Sequence, residues 1–130
     1  MSRFRNSAIL SLLLISAPLA GRAAPEDYRF ELAAQPEKTG TAMLVRLRLV
    51  TVADGKPAAG VEIIHTQLDM GPDGMAAMTA PVKPLPASEP GIYLFEAHPT
   101  MAGNWALNLT AQVEGEPQPI TGAVTIAVTQ

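Results

Sequence analysis

Apolar side chains recur at every second position through much of this chain, and that period decides what it can become. Trp105, Leu107, Leu109, Ala111 and Val113 form one stripe, opposed by Asn108, Thr110, Gln112 and Glu114. Met43, Val45, Leu47 and Leu49 form a second, opposed by Arg46 and Arg48. Tyr28, Phe30 and Leu32 make a third, and Ile120, Val124, Ile126 and Val128 a fourth. A period of two puts one face in a core and the other in water only if the backbone is extended, because successive side chains of a strand point to opposite faces. No segment carries a 3.6-residue apolar period. Val61–Leu68 and Ile92–Ala97 are strand-like but apolar on both faces, which suits sheet centres or a position under a loop. Turn residues punctuate the strands at Glu37–Gly40, Asp54–Pro57 and Glu114–Pro117. Six to seven short strands at this spacing predict an all-β, immunoglobulin-like antiparallel β-sandwich, without the Cys…Trp…Cys pattern of antibody domains. Trp105, which heads the cleanest stripe, is expected between the sheets. No internal repeat is visible.

The N-terminus reads differently. Arg3 and Arg5 precede the apolar run Ala8–Ala20, and Gly21-Arg22-Ala23 supplies small residues at −3 and −1 of a cleavage point. This is the layout of a signal peptide, and the run falls short of the roughly 20 residues that span a bilayer. Residues 1–23 are therefore expected to be removed, leaving Ala24–Gln130 as one domain in the periplasm or outside the cell. A retained N-terminal anchor is the alternative. Loss of Arg3, Arg5 and Arg22 would take Lys+Arg from 9 to 6 against 12 Asp+Glu, and the net charge from −3 to −6. An acidic domain without a basic stripe argues against nucleic acid and anionic membrane surfaces.

The candidate chemistry is concentrated in the middle. Four of six methionines and both histidines lie between His65 and Met101, and the chain has no cysteine. Residues 69–90 (DMGPDGMAAMTAPVKPLPASEP) are rich in Pro, Gly and Met, and proline confines such a stretch to loop or edge positions. A connection this long in a compact domain is usually functional or mobile. Met70, Met75 and Met78 sit on it among Gly, Pro and Asp, where little burial is expected. Exposed thioethers oxidise readily, so three on one loop call for a reason. Either they ligate a soft metal or they fold back and cap an open end of the sandwich. Met101 follows His98 by three residues across Pro99, so imidazole and thioether could converge from one turn; alternatively Met101 closes the sandwich beside Trp105 and His98 is solvated. His65, within an apolar strand, reads as a buried histidine with a satisfied ring. Neutral thioethers suit Cu(I), whereas zinc favours Cys, His or carboxylate and calcium favours clustered oxygens. A blue-copper centre would need a cysteine. No G-x-S-x-G, H-E-x-x-H or P-loop is present, so an enzyme is not expected.

A family resemblance accompanies these features. VADGKPAAGVEI, a Met-rich loop, and then GIYLFEAHPTMAGNWALNL resemble the YtkA-like domain family, which is related to FixH-type periplasmic proteins. Gly91-Ile92-Tyr93 and Met101-Ala102-Gly103-Asn104-Trp105 carry the resemblance most specifically. It implies an extracytoplasmic β-sandwich linked to copper handling or copper-oxidase assembly. The cleavable-looking signal departs from the long anchor of FixH and sets the assembly role in doubt. Together these readings point to a periplasmic copper-binding chaperone or buffer, with Met70, Met75, Met78, His98 and Met101 as candidate Cu(I) ligands. The alternative is a metal-free module that docks on a membrane or efflux complex through the Met/Pro-rich loop.

Overall fold

The longest stripe becomes the longest strand. Trp105, Leu107, Leu109, Ala111 and Val113 are all buried along one strand, and their polar alternates face outward. The computed structural model describes residues 27–86 and 89–129. The signal segment expected over residues 1–23 lies outside the described residues. Among the described residues, nine strands run in chain order: β1 (Tyr28–Leu32), β2 (Glu37–Thr39), β3 (Ala42–Thr51), β4 (Val61–Met70), β5 (Met75–Ala80), β6 (Val82–Leu85), β7 (Tyr93–Ala97), β8 (Gly103–Val113) and β9 (Ile120–Val128). A 3-10 turn, Gly71–Asp73, joins β4 to β5.

The strands form two antiparallel sheets. One has the order β1-β3-β7-β6, with β2 also paired to β3; the other has the order β5-β4-β8-β9. With the strands lettered A, B, C, C′, D, E, F and G in chain order and β2 left as an extra piece beside β1, these are A-B-E-D and C′-C-F-G. That is the strand distribution of an immunoglobulin-like sandwich, and the expected all-β architecture holds. The single tryptophan lies on the F-type strand, not on the C-type strand that carries it in antibody domains. Phe30, Val45, Leu47, Leu49 and Phe95 of the first sheet meet Leu68, Trp105, Leu107, Leu109 and Ile126 of the second in one continuous core. Ion pairs from Arg48 to Glu31 (2.6 Å) and from Arg46 to Glu37 (3.4 Å) lie along the solvent face where β1 and β2 join β3.

Three short strands were not expected. β2 falls in a stretch read as a turn, and β5 and β6 fall in the stretch read as a long connection. β5 and β6 each close an edge of a different sheet, so residues 75–85 carry the chain from one sheet to the other. Pro84 sits opposite Phe95 on the edge strand β6, where a missing N–H costs least.

β4 corrects a second expectation. Val61 and Ile63 pack toward the core, but the register slips between Ile63 and His65, so that Ile64 is an inserted residue left 53% exposed. This β-bulge inverts the alternation. Beyond it Leu68 and Met70 point inward, while His65 and Gln67 are exposed. His65 is therefore a surface residue and not the buried histidine that an unbroken alternation from Val61 implied.

Candidate functional site

The candidate residues gather around one end of the sandwich, although not at one point. The β4–β5 turn, the β7–β8 connection, the β2–β3 turn and the last residues of β9 all lie there, as the pairing of Met43 with Ala97, Lys38 with Met43 and Gly103 with Val128 requires.

Met70 closes β4. Its side chain is 1% exposed and belongs to the core, against the expectation of an exposed loop methionine. The cause is local: alternation through Leu68 and Met70 continues to the end of the strand, and the polar residues around Met70 serve the turn. The carboxylate of Asp69 accepts the Gly71 N–H (2.8 Å) and the Asn108 Nδ2–H (2.8 Å). Asp73 accepts the backbone N–H of Asn104 (2.8 Å) and its Nδ2–H (3.0 Å), which fastens the turn to the start of β8. These donors hold the Asp73 carboxyl below its ordinary range, the backbone N–H contributing most. The Met70 methyl lies against Gly103, where a Cβ would come within 2.5 Å of it.

Met75 and Met78 stand on β5, 39% and 40% exposed. Met75 faces Met70 across the β4–β5 ladder after a register shift. β5 carries no charge, and five of its six residues are exposed.

His98 is drawn to the solvent side of the first sheet. Its backbone N–H donates to the Pro81 carbonyl (2.9 Å), and its Nε2 lies 2.7 Å from Glu96 Oε1. Lys83 Nζ reaches the same oxygen at 3.8 Å. The imidazole is therefore already engaged by a carboxylate.

Met101, 43% exposed, lies elsewhere again. Its carbonyl accepts the Trp105 Nε1–H at 3.0 Å. Its side chain lines a cleft of about 360 Å³ with Met43, Pro99 and Val128, and with Lys38 and Thr129 at the rim. Met43 is 9% exposed, and its membership of the inward β3 stripe did not disclose its place in this cleft. Its position at the turnward end of an inward stripe, next to Gly40 and Thr41, is no signal of a cleft. Across the molecule, an apolar slot of about 300 Å³ opens between β4 and the β6–β7 pair, lined by Val61, Ile63, Leu85, Tyr93 and Phe95. Burial there pushes the Tyr93 hydroxyl pKa up. Among the described residues, no group of three or more His, Cys, Asp or Glu is placed to hold a metal ion. The donors open to a ligand at the loop-bearing end are thus thioethers and one carboxylate-bound imidazole.

Against known proteins, the YtkA-like family model matches residues 22–110. The chain matches no curated protein. Two solved structures resemble it at low identity. The Lin-41 filamin domain is 18% identical, with 79% of this chain and 92% of that one covered and a TM-score of 0.38. A DUF4426 family protein from Pseudomonas aeruginosa PAO1 is 14% identical, with 75% and 100% covered and a TM-score of 0.46.

Proposed function

The chain belongs to the YtkA-like family, and we propose that it is an exported domain that binds Cu(I) weakly, as a periplasmic copper chaperone or buffer. One observation carries the reading: Met75, Met78 and Met101 hold thioethers in reach of solvent, in a chain without cysteine. Methionine is costly to expose in an oxidising compartment, and a soft univalent ion is the ligand that thioethers serve best. His98 could add its Nδ1 while its Nε2 stays on Glu96, and the Met70 sulfur is enclosed by core. A surface donor set of this kind suits exchange over retention, and involves no catalytic step. The test is anaerobic titration with Cu(I) against a competing chelator. The expected result is that the mature protein withdraws the metal and that a variant with leucine at 75, 78 and 101 does not. Failure of the unaltered protein to compete would overturn the reading. N-terminal sequencing of exported protein is expected to read from Ala24.

A second reading has its own observation. β5 is an uncharged, exposed edge strand, whereas the other sheet's β6 edge carries Lys83 and Pro84. Charges and prolines guard edges from strand addition, so β5, like the equally uncharged β9 at the sheet's other edge, is open to a strand from a docking partner on a membrane or efflux complex. Met78→Lys would then abolish the association, and the unaltered chain would withdraw no Cu(I) from the chelator.

A further inference from the structure

We propose that Met43 and Met101 together form the soft-metal site of this domain, a two-thioether cleft for Cu(I) between the β2–β3 turn, the β7–β8 connection and the end of β9. The proposal rests on the copper reading above and narrows it: the affinity resides in this cleft, and not on β5.

Met43 and Met101 both line one open cleft of about 360 Å³. Met43 comes from the floor, as the inward residue near the start of β3, and Met101 comes from the mouth. Pro99 and Val128 give the cleft apolar walls. A cation that enters there exchanges water for two neutral sulfurs, an exchange that favours a soft, weakly hydrated univalent ion and penalises a strongly hydrated divalent one. Among the described residues, no carboxylate or imidazole lines the cleft, which does not favour zinc or calcium there. Lys38 also lines the cleft, and its Nζ donates to the Thr129 carbonyl (3.3 Å); its positive charge opposes every entering cation, a univalent one less than a divalent one.

Position is fixed on both sides. Met43 is held by its strand pairs Lys38 and Ala97. The Met101 backbone is held through its carbonyl by the indole of the buried Trp105. The sulfurs donate lone pairs, no proton is released and no electron is transferred. With only two protein sulfurs, the ion keeps room for a third donor from whatever delivers or accepts it, as a carrier requires. Neither Met75 nor Met78 lines the cleft.

The experiment uses the full exported chain, with Cu(I) under anaerobic competition and Ag(I) as a redox-inert probe. Second-sphere partners alone are worth about 10–100-fold in metal affinity, so loss of a donor sulfur should weaken binding by at least about tenfold. Met43→Leu and Met101→Leu are each expected to show that loss, and the Met75→Leu/Met78→Leu pair is expected to bind as the unaltered chain does. Trp105 is the chain's one tryptophan. Its emission should change on Ag(I) addition, and the change should vanish in Met101→Leu. Met101 is 43% exposed and lies outside the core cluster, so this variant keeps the fold and decides the matter even if Met43→Leu melts early. If the unaltered chain retains Cu(I), and leucine at 75 and 78 abolishes it while leucine at 101 does not, this site is wrong and the copper reading stands. If the unaltered chain retains no Cu(I) or Ag(I), both fall.

Discussion

The indole Nε1–H of Trp105 donates to the carbonyl oxygen of Met101 at 3.0 Å, so the largest buried side chain of the domain also fixes the loop that carries its most exposed methionine. Core and candidate site are thereby one unit. Trp105→Ala should cost about 3–5 kcal/mol, as large aromatic truncations do. Trp105→Phe keeps most of the apolar contact and loses the hydrogen bond, a smaller cost of about 1 kcal/mol from that bond with some added void. Urea melts of the two variants check the ranking. A loss under about 1 kcal/mol for the alanine variant would contradict the burial.

Acid should loosen the β4–β5 turn. Asp73 has its pKa lowered by the Asn104 backbone N–H and then by the Asn104 side chain. A carboxylate with a depressed folded-state pKa contributes stability that is present above its unfolded value, 3.8 here, and is lost as pH falls through the folded value. Glu31, lowered first by its bond to Arg48, and Asp54, lowered first by the Thr51 hydroxyl, act in the same direction. Asp73→Asn should therefore differ from the unaltered protein by a constant amount near neutrality and by less and less on acidification below about pH 4. Equal differences at pH 7 and pH 2.5, by denaturant melts, would mean that the carboxylate's charge is not what holds the turn.

Gly103 marks the tightest contact behind the same turn. Its φ is +142, and a Cβ would lie 2.5 Å from the Met70 methyl and 2.7 Å from Asp73 Oδ2. Gly103→Ala therefore combines an unfavourable backbone with a clash, and should cost about 1–3 kcal/mol. Much of that cost should disappear when Met70 is shortened as well, because the flexible methyl is the nearest atom. A double-mutant cycle measures the coupling.

The sequence was legible where alternation ran unbroken. The stripes of β3, β8 and β9 appear in the structure with the faces their residues assign, and Trp105 lies between the sheets. Legibility failed where one residue changed the parity. The inserted Ile64 turned His65 outward, and nothing in VEIIHTQL marks a bulge. The Pro- and Gly-rich stretch hid β5 and β6, because the residues that exclude a central strand are the ones an edge strand tolerates. Met70 was readable in principle: Leu68, Asp69 and Met70 continue the period of two into the loop-like stretch. Met43 in its cleft was not, because a strand position says which face a side chain takes and not what stands opposite its end.

The division among the methionines gives the last prediction. Met70 is enclosed by Leu68, Trp105 and the rest of the core, with its methyl on Gly103. Met70→Ala should leave a void and cost about 2–5 kcal/mol, whereas Met70→Leu, a volume-conserving exchange, should cost less than about 1.5 kcal/mol. Met75→Ala and Met78→Ala remove side chains that are about 40% exposed, and should change stability by far less. In Cu(I) competition that order should vanish: Met75→Ala and Met78→Ala should bind as the unaltered chain does, because neither residue lines the cleft, and so should Met70→Leu, because a sulfur 1% exposed meets no ion without unfolding the end of β4. Thermal melts and chelator titrations on the same four proteins check both expectations. Copper lost in Met70→Leu with its melting point intact would show that the β4–β5 turn opens to deliver the core sulfur, and the ligand set would have to be redrawn around it.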